Sequence, residues 1–291
     1  MSRLLIVDGH AYAYRAFHAI RELRSPEGKP TNAIYGFVKM LEKMRAAVMP
    51  THLIVVWDGG LSAERLAALP EYKAQRPEMP ADLRPQLDGI VSFLAAAGIA
   101  SYRADGVEAD DYIATLARLA GADWNVVIAS SDKDFMQLVS PQIGLLNPND
   151  KTGTIWGCAQ VLAKTGVAPE QVADWLALMG DAVDNIPGVP GVGPKTAAEL
   201  LKQFGSVENL LARLAEVKSE KLRAALRAVA GDVVRNQKLV RLPAVPCEFV
   251  PEKLTVRDGD RAALRQLFGG WGFKGMLEAL AASVEKQVEL I

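Results

Sequence analysis

The stretch "WNVVIASSD" (124–132) runs apolar and β-branched from Val126 to Ala129, then turns polar and ends in Asp132. A run this short, bounded by Ser130 and Ser131, reads as a strand buried on both faces, the signature of a parallel sheet. "LLIVD" (4–8) and "HLIVVWD" (52–58) repeat the pattern, each closing on an aspartate. "IASYR" (99–103) and "IGLLN" (143–147) are shorter strands of the same kind. Between them, "AIYGFVKMLEKMRAAV" and "LRPQLDGIVSFLAAAGI" have helical period, the second stopped by Gly98. This alternation implies a doubly wound, mostly parallel α/β sheet over about residues 1–170.

The pattern changes near residue 170 to helices alone: "PEQVADWLALMG", "GPKTAAELLKQFG", "SVENLLARLAEV" and "SEKLRAALRAVAGDVVRNQKLVRL". A second, helical region over 171–291 is expected, with the proline-rich "PAVPCEFVPEKLTV" crossing back and a last amphipathic helix at 258–268. Residues 60–85, "GLSAERLAALPEYKAQRPEMPADLRP", interrupt the sheet pattern, and an insertion of that length is more often functional than idle.

The chain has 291 residues, half of them hydrophobic and 23% charged, so two domains with ample core are expected. The formal net charge of −1 announces no overall positive field, although a basic face can coexist with an acidic site. Cys158 and Cys247 have neither metal-ligand spacing nor a disulfide framework, and read as buried or partly buried thiols in a reducing compartment. The apolar run in "MSRLLIVDGH" is too short for a signal segment and no later stretch is long enough for a membrane span, so a cytoplasmic protein is expected.

Carboxylates recur where ligands bind in open α/β sheets, beyond the carboxyl ends of the strands. Asp8, Asp58, Asp132 and Asp134 follow three of the strands, and the fourth leads into "GVEADDYIATLA" (106–117) with Glu108, Asp110 and Asp111. Acids favour the first turn of a helix, which accounts for one or two of them on a solvated turn. Asp110, however, shares a helical face with Ile113, Ala114 and Ala117 and is expected to point at the core, where an unpaired carboxylate is costly. Seven acids at one sheet edge raise one another's pKa unless cations sit among them. An all-oxygen set without clustered His or Cys selects a hard ion, Mg²⁺ or Mn²⁺. Asp181 and Asp184 in "MGDAVDNIPGVPGVGPKTA" add a pair three residues apart, aimed by the Pro and Gly that follow. His10, His18 and His52 read as packing or capping residues.

The glycine hairpin of "GVPGVGPKTAAELLKQFG" runs straight into a helix. Backbone amides there form a nest for phosphate, with Gly191, Gly193, Lys195 and Thr196 at its centre. A dinucleotide fingerprint needs a strand before the glycines, and here a helix precedes them. Helix, hairpin, helix over about 175–204 is the arrangement that grips duplex DNA by its backbone without reading sequence. Lys202, Lys218, Lys221, Arg223 and Arg227 extend a basic stripe. Tyr72, Lys73 and Arg76 in "PEYKAQRPEMP" interleave an aromatic with cations, a set able to stack on a base and hold phosphate.

With "LLIVDGHAYAYRAFHA", "YKAQRPEMPADLRPQL", "GVEADDYIATLA", "SSDKDFMQLV" and "GDAVDNIPGVPGVGPKTAAELL" in that order, the chain resembles the 5′-nuclease (flap endonuclease) superfamily, nearest to the 5′-to-3′ exonuclease domain of bacterial DNA polymerase I. The resemblance covers nearly the whole chain and implies a PIN-like core with an arch at about 60–85. It places the family's metal-binding acids on Asp8, Asp58, Glu108, Asp110 and Asp111 for a first ion. Asp132, Asp134, Asp181 and Asp184 would hold a second, roughly 4 Å away, in a two-metal hydrolysis by Mg²⁺ with Mn²⁺ able to substitute. It makes Asp110, Lys73 and Arg76 catalytic, with the two cations neutralising the phosphate. Arg65 and Tyr72 join them in an arch that passes the 5′ single strand, and Arg15 lies near the scissile region. Lys195 and the hairpin hold duplex, where relatives also bind K⁺. The substrates implied are 5′ flaps, 5′ overhangs, nicks and RNA-primed DNA, and the state implied is a monomer. The chain ends at Ile291 without polymerase or proofreading sequence, so a free-standing paralogue or an excised domain is expected. Two competing readings are a branch-recognition module that binds flaps without cutting, and an RNA-directed nuclease on a related core. Nine intact acids argue against the first; the helix-hairpin-helix favours DNA over the second.

Overall fold

The computed structural model describes residues 2–148 and 152–288. In chain order the elements are β1 (Ser2–Asp8), α1 (Gly9–Ala19), α2 (Asn32–Val48), β2 (His52–Trp57), α3 (Ala63–Ala68), α4 (Arg84–Ala96), β3 (Ala100–Arg103) and α5 (Ala109–Ala120). They continue with β4 (Trp124–Ala129), β5 (Ile143–Leu146), β6 (Ile155–Trp156), α6 (Cys158–Thr165), α7 (Val172–Met179), α8 (Pro194–Phe204) and α9 (Val207–Ala212). The last are α10 (Glu220–Ala228), α11 (Ala230–Val240), α12 (Pro251–Leu254), α13 (Arg261–Trp271) and α14 (Lys274–Val288). No helix among the described residues is long and apolar enough to cross a membrane.

The chain divides into two compact units, neither contiguous in sequence. One comprises 1–57, 78–103 and 249–291. Its strands run parallel in the order β3-β2-β1, with Leu5 opposite Leu53 and Val55 opposite Ser101. Leu4, Leu5, Ile6 and Val7 are fully buried, which is why this strand is apolar at consecutive rather than alternate positions. An aromatic cluster of Phe93, Phe268, Trp271 and Phe273 joins α4 to the end of α13. His10 packs edge-on against Trp57 and His18 against Phe17, as expected for packing histidines.

The other unit comprises 58–77 and 104–248. Here β4 and β5 pair parallel, their crossover supplied by a 3₁₀ segment at Lys133–Leu138, and β6 closes the edge antiparallel to β5. The α/β core with mostly parallel strands, followed by a helical region, is therefore the architecture present. Helix α5 is buried nearly all round, and this corrects one expectation: Glu108 and Asp111 are the deeply buried acids, whereas Asp110 keeps 18% of its side chain exposed. A helix buried on several faces has no single apolar stripe, so helical period alone does not define its inward side. A second correction concerns Cys158, which is exposed at the start of α6; Cys247 is half-buried.

Between α7 and α8 the chain folds back on itself. Asp181 and Ile186 exchange two backbone hydrogen bonds of 2.8 Å, and Val189 N–H reaches Leu178 C=O. A Cβ on Gly188 would lie 2.2 Å from the Met179 carbonyl oxygen, and one on Gly180 2.4 Å from Gly188 N. Only glycine permits that approach. Gly188→Ala is expected to cost about 3 kcal/mol or more, because backbone rather than a side chain must move; a urea melt with a midpoint shift worth under about 1 kcal/mol would contradict it.

Candidate active site

Eight of the nine acids singled out in the sequence lie in the second unit. The turn after β2 is laced to the loop entering α5: Gly59 N–H donates to Val107 C=O at 3.0 Å and Gly106 N–H to Gly59 C=O at 2.9 Å. This lacing sets Asp58, whose Oδ1 accepts from Gly60 N–H at 2.8 Å. It also sets Glu108, the N-cap of α5. Glu108 caps nothing with its side chain; it turns inward instead, to accept from Ser62 N–H at 3.0 Å and to pair with Lys73 and with Arg65 at 2.9 Å. Asp132 caps the 3₁₀ segment by accepting from Asp134 N–H at 2.9 Å. Asp181 accepts from Val183 N–H at 3.0 Å and pairs with Lys133 at 2.9 Å. Asp184 pairs with Arg76 at 2.7 Å.

Segment 60–77 is folded onto these acids. Arg65, Tyr72 and Lys73 are each under 7% exposed. Tyr72 does not present a free ring: its hydroxyl meets Glu108 at 3.2 Å and Asp184 at 3.4 Å, with Lys73 Nζ 4.9 Å from the ring centre. Lys73 Nζ also lies 3.9 Å from both Asp110 and Asp184. The backbone is drawn in as well. Lys73 is left-handed at φ 56°, its N–H donating to Asp184 C=O, while Asn185, at φ 57°, donates back to Glu71 C=O at 2.9 Å. Two left-handed non-glycine residues facing each other mark a strained junction held by its surroundings.

Electrostatics follow from who has a partner. Burial opposes charge on Glu108, yet Lys73 and Arg65 outweigh it and hold its pKa below the ordinary value. Burial likewise opposes charge on Lys73, and Asp110 with Asp184 overrides it, so the ammonium is held charged. Asp134 is the opposite case. Burial, then repulsion from Asp132, Asp184, Asp110 and Asp181, pushes its carboxyl well above the ordinary range, and its Oδ1 has no hydrogen-bond partner. Asp132 is raised for the same leading reason, burial.

Among the described residues, no three acids are drawn together tightly enough to share one metal ion. Their counter-charges are lysine and arginine side chains. The donor set nevertheless suits a hard divalent ion. It is all oxygen, and it contains a buried carboxylate, that of Asp134, with an orphaned oxygen near four more acids, which a cation would satisfy.

Helices α7 and α8 with the hairpin between them form the expected helix-hairpin-helix. Gly191 takes φ 81°, and neither Gly191 nor Gly193 would bring a Cβ near any other atom, so their backbone faces open space. Lys195 is exposed in the first turn of α8 and Thr196 half-exposed. In the first unit, Asp8 caps α1 by accepting from Ala11 N–H at 3.0 Å, and Arg15 is half-buried on that helix.

Residues 3–166 match the family described as the 5′-3′ exonuclease N-terminal resolvase-like domain, and residues 167–262 match the 5′-3′ exonuclease C-terminal SAM fold. The chain belongs to the 5′-3′ exonuclease family. This exonuclease is 40% identical over 281 residues to a 5′-3′ exonuclease of Aquifex aeolicus, covering 96% of the chain and 95% of that protein. It is 39% identical over 282 residues to DNA polymerase I of Bacillus caldotenax, covering 96% of the chain but only 32% of the relative. It thus spans about a third of that polymerase's length. A solved structure of the T5 D15 protein, co-crystallised with metal ions, superposes with a TM-score of 0.69 at 27% identity over 83% of this chain and 90% of that one.

Four further residues contribute to the exonuclease site. Lys133, between Asp132 and Asp134, was legible as a cation inside an acidic triplet. Ser62, whose N–H serves Glu108, and the carbonyls of Leu239 and Arg241, which receive Arg65, gave no signal, because a backbone contact leaves none in residue type.

Proposed function

We propose that this 5′-3′ exonuclease is a structure-specific, metal-dependent 5′ nuclease that hydrolyses DNA phosphodiester bonds at 5′ ends and flap junctions. Removal of 5′ flaps or RNA primers in replication and repair, in the cytoplasm and as a monomer, is its role. The observation that carries this reading is the meeting of buried carboxylates with Lys73 and Arg76 from segment 60–77. Asp132, Asp134, Asp181 and Asp184 would hold one divalent ion, Mg²⁺ or Mn²⁺. Asp58, Glu108 and Asp110 would hold another, and Asp8 stays in that set on the sequence resemblance alone. Such ions supply an activated water and charge stabilisation of the attacking and leaving oxygens.

The chain's own residues then do the rest. Lys73 and Arg76, already charged and aimed at the acids, exchange carboxylate for phosphate when substrate arrives. Segment 60–77 excludes water by its packing. The helix-hairpin-helix positions duplex through open backbone at Gly191 and Gly193, with Lys195 and Thr196 contacting phosphate; carbonyls of the hairpin would serve K⁺. Arg15 would act near the scissile phosphate. The functional division is proposed as a nuclease core over 1–170 and a DNA-gripping region over 171–291.

A duplex carrying a labelled 5′ flap tests the reading. Cleavage near the junction with Mg²⁺, abolished by chelator and reduced at least 100-fold in Asp110→Ala, is expected. Tight binding without cleavage in either Mg²⁺ or Mn²⁺ would instead establish a flap-binding module.

A further inference from the structure

Arg65 has five N–H donors, and four hydrogen bonds and an ion pair hold its guanidinium. Its Nη1 donates to Asp111 Oδ2 at 2.8 Å and meets Glu108 Oε1 at 2.9 Å. Its Nη2 donates to Asp111 Oδ1 at 2.7 Å and to Arg241 C=O at 3.3 Å, and its Nε donates to Leu239 C=O at 3.0 Å. The side chain is 7% exposed and that of Asp111 4%, so neither offers an open face to solvent. Both oxygens of Asp111 are consumed by the fork, a bidentate geometry that a lysine ammonium cannot reproduce. Asp111 is fixed from behind too: Thr115 Oγ1 donates to its carbonyl at 2.8 Å and accepts from Val245 N–H at 3.0 Å.

We infer that Arg65 and Asp111 form a buried, bidentate pin that fixes the base of segment 60–77 on the carboxylate cluster; Asp111 is a positioning residue and not a metal ligand, and Arg65 does not contact DNA. The pin joins α3, the first turn of α5 and the end of α11, three pieces distant in sequence. It holds Ser62 and Glu108 at one end of the segment so that Lys73 and Arg76 arrive at the acids from a set direction. This reassigns two residues that the family resemblance alone would place in the metal and substrate sets. It rests on the proposed nuclease site, but its consequences can be read without any cleavage.

The test uses full-length protein freed of metal, with Mn²⁺ as the probe ion and a protease of broad specificity as the probe of segment 60–77. Asp111→Asn is expected to leave Mn²⁺ affinity within about twofold of the parent, where Asp134→Asn lowers it about 10–100-fold. Asp111→Asn and Arg65→Lys should each expose the segment to cleavage at least tenfold faster. The double variant should be no worse than the weaker single one, because both remove the same pin. In flap hydrolysis both should lower kcat more than they raise KM. If Asp111→Asn lost Mn²⁺ affinity as Asp134→Asn does while its segment stayed protected, Asp111 would be a ligand and the inference would fail. It would fail equally if Arg65→Lys weakened flap binding with the segment still protected. Should Asp111→Asn not fold, Arg65→Lys carries the same two readouts. If the flap is never cut, the nuclease reading falls and the protease result still stands.

Discussion

Lys73→Ala is expected to lower stability by about 3 kcal/mol and flap cleavage by roughly 100- to 1000-fold. The stability loss comes from Glu108, whose side chain is fully buried and would keep only Arg65 as a charged partner. Removing one member of a buried pair strands the other, which is far costlier than never having built the pair. The loss of rate has a separate origin, the missing charge at the phosphate. Two companion variants divide these contributions. Lys73→Met keeps the packing and removes the charge, so it should unfold almost as readily as Lys73→Ala. Lys73→Gly relieves the left-handed backbone at φ 56° and should be about 1 kcal/mol less damaging than Lys73→Ala. Urea melts on the three proteins decide it; a Lys73→Met variant as stable as the parent would mean that Glu108 is not stranded.

Asp134→Asn should move stability and activity in opposite directions. In metal-free protein the substitution removes a charge that burial and Asp132 oppose, and a gain of roughly 0.5–2 kcal/mol is expected. Cleavage should fall about 100-fold. The pH dependence has a definite sign. The folded carboxyl binds its proton more tightly than the unfolded one, so the folded state carries more protons between the ordinary aspartate pKa and the raised one. Stability of the metal-free protein therefore falls as pH climbs through that window, and divalent ion restores it at neutral pH. Asp134→Asn should flatten both effects. Thermal melts across pH 4 to 8, with chelator and with Mg²⁺, would refute this if the parent gained stability with rising pH while the variant matched it throughout.

The two expectations together describe a site whose acids are unequal. Glu108 and Asp111 have lysine and arginine partners; Lys73 and Arg65 hold the Glu108 carboxyl below its ordinary pKa, whereas burial pushes that of Asp111 up in spite of the Arg65 fork. Asp134 has none for its Oδ1, and its charge waits on something outside the chain. Residue type and spacing could not divide these acids in this way, since Glu108, Asp111 and Asp134 all sit at the start of a helical segment.

The sequence by itself determined the five parallel strands and the helix-hairpin-helix, while the short antiparallel β6 left no signal. Buried parallel strands must be apolar at consecutive positions, and "LLIVD" and "NVVIA" leave no other reading. A hairpin that brings backbone within contact distance must carry glycine, as Gly180 and Gly188 do. The tertiary structure alone decided which acid faces which cation. Asp110 and Asp111 are neighbours of one type, and only the packing of α5 on several sides sends Asp111 to the Arg65 fork and leaves Asp110 at the edge. Segment 60–77 reads as a polar insertion with cations to spare, yet Arg65, Tyr72 and Lys73 are buried. Their partners come from residues up to 176 positions away, including main-chain carbonyls. Burial of a charged side chain is settled by the sum of such long-range partners, and no local pattern encodes that sum.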